Sequence, residues 1–283
     1  NRAKIKTKSV KSKIIEPNYA YVRITQFQER TGQDLAKALT KLRKENKFAF
    51  NGIILDMRNN PGGLLNSSVA VSAAFLKEDK LVVYTEGRTP DSRMKLTTAP
   101  ENFIRDNPTK NNYIKKLPQD IQDTPLVVLI NNGSASASEI VAGALQDHKR
   151  ALIVGTRSFG KGSVQTILPM NNGTAIKLTT ARYFTPNGRS IQGKGIDPDI
   201  IVKDGSEFLA IREADLTNTL SNPQDKKKKE EKNSGDKSSV KAPTSDGGEA
   251  LRSFKPVELG GKDDKQFNEA LNILKGIDLY QKN

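Results

Sequence analysis

PLVVLINNGSASASEIVAGALQDHKRALIVGTRSFGKGSVQ, residues 125–165, reads as a buried strand, a turn of small polar residues, a helix, a second strand and a glycine-flanked loop. Pro125 to Ile130 is a continuous apolar run, the pattern of a strand covered on both faces. Ile140, Val141, Ala144 and Leu145 then share one face of a helix from about Ser136 to His148. Ala151 to Val154 is the next strand. Working outward, Tyr19 to Phe27 and Phe48 to Leu55 predict strands, and the second ends in the apolar run GIIL. Between them Leu35, Ala38, Leu39 and Leu42 recur at i, i+3, i+4 and i+7, one face of a helix opening near Thr31-Gly32. MRNNPGG, residues 57–63, is a turn cluster ahead of a helix over about 66–76, and Leu81 to Thr85 is a strand. This repeated strand–helix–strand rhythm predicts an α/β fold.

Less regular stretches flank that pattern. Lys4 to Ile14 alternates loosely, and residues 87–123 are polar and proline-containing without period, an inserted excursion. Ser163 to Leu168, Thr174 to Thr180 and Arg182 to Phe184 predict a β-rich region. Residues 221–250 are rich in Lys, Ser, Asp and Gly and read as a disordered linker. Beyond them Phe267, Ala270, Leu271 and Leu274 make an amphipathic face in a C-terminal helical element over 251–283. The globular body is expected over 19–220, with 1–18 as a leading segment.

Composition narrows the chemistry. There is no cysteine and one histidine, His148, in 283 residues. Disulfides, thiolate nucleophiles and metal sites needing two imidazoles are excluded. No metal or nucleotide cofactor is called for by any motif. No apolar run reaches the length of a bilayer span, and the basic N-terminus lacks the apolar segment of an export signal. The net charge of +14 invites a nucleic-acid reading, but residues 1–15 carry +6 and residues 226–241 carry +4, so ten of the fourteen charges sit in two polar segments. The remainder is nearly balanced, and no specific nucleic-acid partner is expected.

A small-residue turn between a buried strand and a helix N-terminus exposes backbone N–H groups at the positive end of the helix dipole. Ser134, Ser136 and Ser138 are all candidates for a hydroxyl presented beside an oxyanion site. Ser136 and Glu139 also stand at the S-x-x-E spacing of a capping box, which accounts for the serine without chemistry. His148 lies twelve residues further along, about 18 Å on a helix, too far to activate Ser136. Lysine is the other known activator of a serine. Lys161 lies between Gly160 and Gly162 with few acids nearby. A lysine base must shed its proton, which calls for a fall from about 10.4 to about 7–8 and a dry site. Gln165 lies four residues on, an even separation that shares a face in extended chain, and a neutral amide can orient an amine without adding charge. GKG is not a phosphate-binding P-loop, whose glycine spacing is absent.

NNGSASASEIVAGALQD (131–147) and RALIVGTRSFGKGSVQ (150–165) closely resemble the C-terminal processing, or tail-specific, proteases of the S41 serine peptidase family. GIILDMRNNPGGLL (52–65) and TTARYFTPNGRSIQGKGIDPDI (179–200) match the same family in the same order, so the resemblance covers about Tyr21 to Val202. It implies that Ser136 is the nucleophile, Lys161, 25 residues later, its general base, and Gln165 the residue that orients the lysine. The oxyanion hole it implies is the backbone N–H of Gly63 with that of Ala137, while Asp56 and Arg58 are structural. The implied fold is a ClpP/crotonase-like spiral of β-β-α units with a smaller cap from the N- and C-terminal segments. The implied substrates are unfolded or C-terminally exposed proteins, cut in the periplasm, with an adaptor protein and homo-oligomer as further expectations. Family members carry an export signal and a PDZ-like domain ahead of this core, and residues 1–18 look like the segment that follows that domain. A non-catalytic peptide-binding scaffold of the same fold is the alternative.

Overall fold

The computed structural model describes residues 8–204, 211–217, 219–225 and 258–282. A six-stranded sheet runs in the order β1 (Val10–Glu16), β2 (Tyr19–Ile24), β3 (Gly52–Asp56), β6 (Leu126–Ile130), β7 (Leu152–Gly155), β10 (Ile200–Ile201). β1 is antiparallel to β2, and every later neighbour is parallel. A second, antiparallel sheet has the order β5 (Lys95–Thr97), β4 (Leu81–Gly87), β9 (Ala175–Phe184), β8 (Ser163–Pro169).

The continuous apolar runs have a direct cause. β3 and β6 are central and buried at every residue. Ile53, Leu55, Val128 and Ile130 face a core built with α1 (Thr31–Asn46), α2 (Leu65–Ala73) and α3 (Ala137–Asp147). Their alternates Ile54, Val127 and Leu129 face α4 (Lys265–Lys282) through Phe267, Ala270, Leu271 and Leu274. Each central strand thus buries both faces, so period-two polarity disappears from its sequence. The stripe predicted around residue 270 is the docking face of α4.

α4 is also tied by charge. The Arg58 guanidinium, 1% exposed, bridges Asp56 and Asp264 at 2.7 and 2.6 Å. The Tyr21 hydroxyl donates to Asp56 at 2.7 Å. An arginine removed from water needs such bidentate partners.

Three sequence expectations are refined. The strand ending in GIIL starts at Gly52, because Lys47 adopts a left-handed φ of 64° at the end of α1 and Phe48 is 70% exposed. Residues 175–184 form one strand that pairs with β8 and with β4. The excursion over 87–123 contains β5 and short 3-10 turns, and it buries the adjacent Phe103 and Ile104 and the distant Ile121 at irregular spacing, which explains its lack of period. Within the stretch read as linker, Asn222 is buried and donates to the Gln192 carbonyl at 2.7 Å. Residues 226–250 of it lie outside the described residues. Among the described residues no helix is long and apolar enough to cross a membrane.

Candidate active site

β3 and β6 are adjacent and parallel, so the turns that leave their C-terminal ends, and the helices α2 and α3 that follow, start side by side. In open parallel sheets this is where ligands bind. The turns are laced together by their asparagines. Asn59 N–H donates to Asn131 Oδ1 and Asn131 Nδ2 to Asn59 Oδ1, both at 2.8 Å. Ser134 Oγ donates to the Met57 carbonyl at 2.8 Å. The loop after β7 joins them, with Phe159 N–H on the Ser134 carbonyl at 3.0 Å.

Ser136 stands at the head of α3, half-buried, with φ 53° and ψ −110°. A non-glycine residue held at positive φ stores on the order of 1–3 kcal/mol, and such strain concentrates at functional positions. Ser136 and Glu139 stand in the capping-box relation, yet the serine hydroxyl makes no cap hydrogen bond. The Glu139 N–H goes to the Ser136 carbonyl at 2.9 Å. The hydroxyl is left for other work.

The glycine turn lies against this serine. A Cβ on Gly62 would stand 2.9 Å from both the Ser136 Cβ and the Ala137 nitrogen. The Gly62 N–H is used, donating to Asn60 Oδ1 at 2.9 Å. Among the described residues the N–H groups of Gly63 and of Ala137, the first residue of α3, make no hydrogen bond. Two unused donors beside a serine hydroxyl, one of them at a helix N-terminus, can take up negative charge on an oxygen.

Glu139 joins the serine to the lysine loop. Its Oε2 accepts the Ser136 N–H at 2.7 Å and the Lys161 N–H at 2.9 Å. The two backbone nitrogens are therefore no further apart than the sum of those bonds, 5.6 Å. Its Oε1 accepts the Ser158 hydroxyl and the Gly160 N–H, both at 2.6 Å. Lys161 is half-buried, and among the described residues no carboxylate pairs with its ammonium. The flanking glycines are required by close backbone: a Cβ on Gly162 would meet the Gln192 nitrogen at 2.3 Å, and one on Gly160 the Gly195 nitrogen at 3.2 Å.

Burial pushes the Glu139 carboxyl up to about 7, outweighing its four hydrogen bonds. The folded value exceeds the unfolded one, so this group's stabilisation is fully present below about 4.5 and is lost as pH rises to about 7. The stability of the protein relative to Glu139→Gln is expected to decline across that window and to level above it. Urea unfolding of both at pH 5 and pH 8 measures this, and a difference that grows with pH would contradict it.

Gln165 lies on β8, exposed, with a register shift between it and Val164. That shift interrupts the even alternation between Lys161 and Gln165, and no hydrogen bond joins the two among the described residues. His148 caps the far end of α3 and its Nε2 bonds the Leu81 carbonyl at 2.7 Å. Asp56 and Arg58 belong to the buried cluster under α4. Sequence reasoning missed Glu139 as a bridge, reading it only as a cap, and missed Ser158 and Asn60 altogether. Among the described residues no group of His, Asp and Glu could hold a metal ion.

Residues 18–202 match the family described as peptidase family S41. The carboxy-terminal-processing protease of Bartonella bacilliformis is 41% identical over 279 residues, covering 96% of this chain and 55% of that protein. The carboxy-terminal processing protease CtpB of Bacillus subtilis is 36% identical over 212 residues, covering 74% of this chain and 40% of its own length. The chain thus spans about half the length, or less, of these relatives. The solved photosystem II D1 C-terminal processing protease superposes with a TM-score of 0.55 at 33% identity, over 71% of this chain and 50% of its own.

Proposed function

The chain belongs to peptidase family S41, and we propose that it is a serine endopeptidase working through Ser136 and Lys161. The observation that carries this is the shared Glu139 oxygen, which brings the backbones of serine and lysine within 5.6 Å of one another. In this reading Ser136 Oγ attacks the scissile carbonyl carbon and its proton passes to Lys161. The carbonyl oxygen becomes an oxyanion between the N–H groups of Gly63 and Ala137. Collapse expels the amine, which takes the proton from Lys161, and leaves an acyl-enzyme on Ser136. Water then adds to the ester by the same route, and Ser136 is restored. Gln165 would orient the lysine once substrate is seated.

The similarity to carboxy-terminal-processing proteases supports processing near protein C-termini as the task; unfolded or C-terminally exposed chains as substrates and the periplasm as the place of work are part of the same proposal. The strand–turn–helix units at β3–α2 and β6–α3 support a β-β-α spiral as the core, with β1 and α4 as its cap.

The direct test is covalent. A fluorophosphonate should form a bond from Ser136 Oγ to phosphorus with loss of fluoride, and peptide mapping by mass spectrometry should find the adduct on Ser136. An adduct at Ser134 or Ser138, or none on any serine of the 131–147 stretch, would remove the basis for this assignment.

A further inference from the structure

We propose that Asn60 is the positioning residue that holds both donors of the oxyanion hole in register; this deepens the serine peptidase reading and rests on it. Asn60 is fully buried and uses every polar group it has. Its Oδ1 accepts the Gly62 N–H at 2.9 Å and its Nδ2 donates to the Ile24 carbonyl at 2.8 Å. Its own carbonyl accepts the Ala135 N–H at 3.0 Å and the Ser138 hydroxyl at 2.9 Å. Its N–H goes to the Met57 carbonyl at 3.3 Å.

These bonds divide into two functions. The side chain makes a local turn onto the backbone two residues ahead, which withdraws the Gly62 N–H and leaves that of Gly63 as the donor on offer. Its anchor at Ile24 ties the turn to the end of β2. From there the chain runs to Phe27, whose N–H and carbonyl bond Gly62 and Leu64 at 2.9 Å, one residue either side of Gly63. The Asn60 carbonyl does the second task. It grips residues 135 and 138, one before Ser136 and two after, so that Ala137 lies inside the gripped segment. One residue thereby fixes the spacing between a donor on the glycine turn and a donor on α3.

Only asparagine meets both demands at this depth. An ionised aspartate would accept from Gly62 but could not donate to the Ile24 carbonyl, and its charge would be buried without a counter-ion; to donate there it would have to carry a proton. Alanine leaves the Gly62 N–H and the Ile24 carbonyl both unpaired. Asn60 does not itself touch the reacting atoms, so its loss should act on the rate at saturation and not on the grip on the reagent.

The test is saturable fluorophosphonate labelling of Ser136 in the full chain, with folding followed by circular dichroism. Asn60→Ala and Asn60→Asp are expected to lower the maximal labelling rate roughly 10²-fold, as for loss of an oxyanion donor, with half-saturation within about twofold of the parent. Ser138→Ala removes only one tie on the Asn60 carbonyl, keeps the protein folded, and should cost about tenfold in the same quantity. Leu39→Ala truncates the buried core on α1; it lowers the melting temperature but leaves the labelling rate at the parent value. Parent-like rates in Ser138→Ala and in folded Asn60→Ala would overturn the proposal, as would an equal loss in Leu39→Ala. A parent chain unlabelled at Ser136 would instead remove the peptidase reading on which it stands.

Discussion

On the proposed mechanism Ser136→Ala and Lys161→Met are each expected to lower kcat for cleavage of an unstructured polypeptide by roughly 10⁴- to 10⁶-fold, with the double variant losing no more than the worse single one. The magnitude follows from the roles proposed for them: one would supply the bond-forming oxygen and the other would receive its proton, so neither would work alone. Non-additivity is the decisive part, because two independent binding contacts would lose affinity in sum. Folding should be untouched. The Ser136 hydroxyl makes no cap bond, and among the described residues the Lys161 ammonium makes no hydrogen bond or ion pair. Steady-state kinetics with a thermal melt of each variant gives both answers. Cleavage that survives Lys161→Met with KM raised and kcat intact would make the lysine a substrate contact and send the search for the base elsewhere. Loss in Lys161→Met with additive loss in the double variant would separate the two residues.

How far the site could be read from sequence depends on how local each contact is. The strands at 52–56 and 126–130 are legible because burial on both faces erases polarity over consecutive residues. The α4 stripe is legible because one face of one helix carries it. Glu139 is half legible. Its spacing to Ser136 announces a cap, but its bonds to Ser158, Gly160 and Lys161 cross from α3 to the loop after β7. No periodicity reports a pairing between segments that only the sheet order brings together. Asn60 is silent for the same reason, since NNPGG reads as a turn whether or not its second asparagine is buried. Gln165 shows the opposite case. Even spacing suggested a shared face with Lys161, and the register shift beside it is a feature that spacing cannot carry. The choice of Ser136 as the proposed nucleophile needed the family pattern, because three serines at alternate positions are equivalent to any local rule.

Gly63→Ala is expected to reduce kcat/KM by at least 10²- to 10³-fold, the loss that follows removal of one oxyanion donor. Gly63 has φ +144°, and a Cβ placed there would lie 2.0 Å from the Phe27 carbonyl oxygen and 2.8 Å from its carbon. Neither atom belongs to a flexible side chain. Phe27 is held by its N–H on the Gly62 carbonyl and by the Leu64 N–H on its own, both at 2.9 Å, so the added methyl cannot be absorbed without parting the turn from β2. The Gly63 N–H would then be displaced relative to the Ala137 N–H, and the proposed pair of donors would no longer serve one oxygen. Positive φ alone is a smaller burden, and Gly173 separates the two effects. It has φ +79° at the tip between β8 and β9, with nothing within 4 Å of an added Cβ. Gly173→Ala should cost on the order of 1 kcal/mol of stability while kcat/KM stays at the parent value. If Gly63→Ala merely shared that stability loss and kept its activity, the second donor would have to come from another group, and the turn's glycine would answer only to the packing against Phe27.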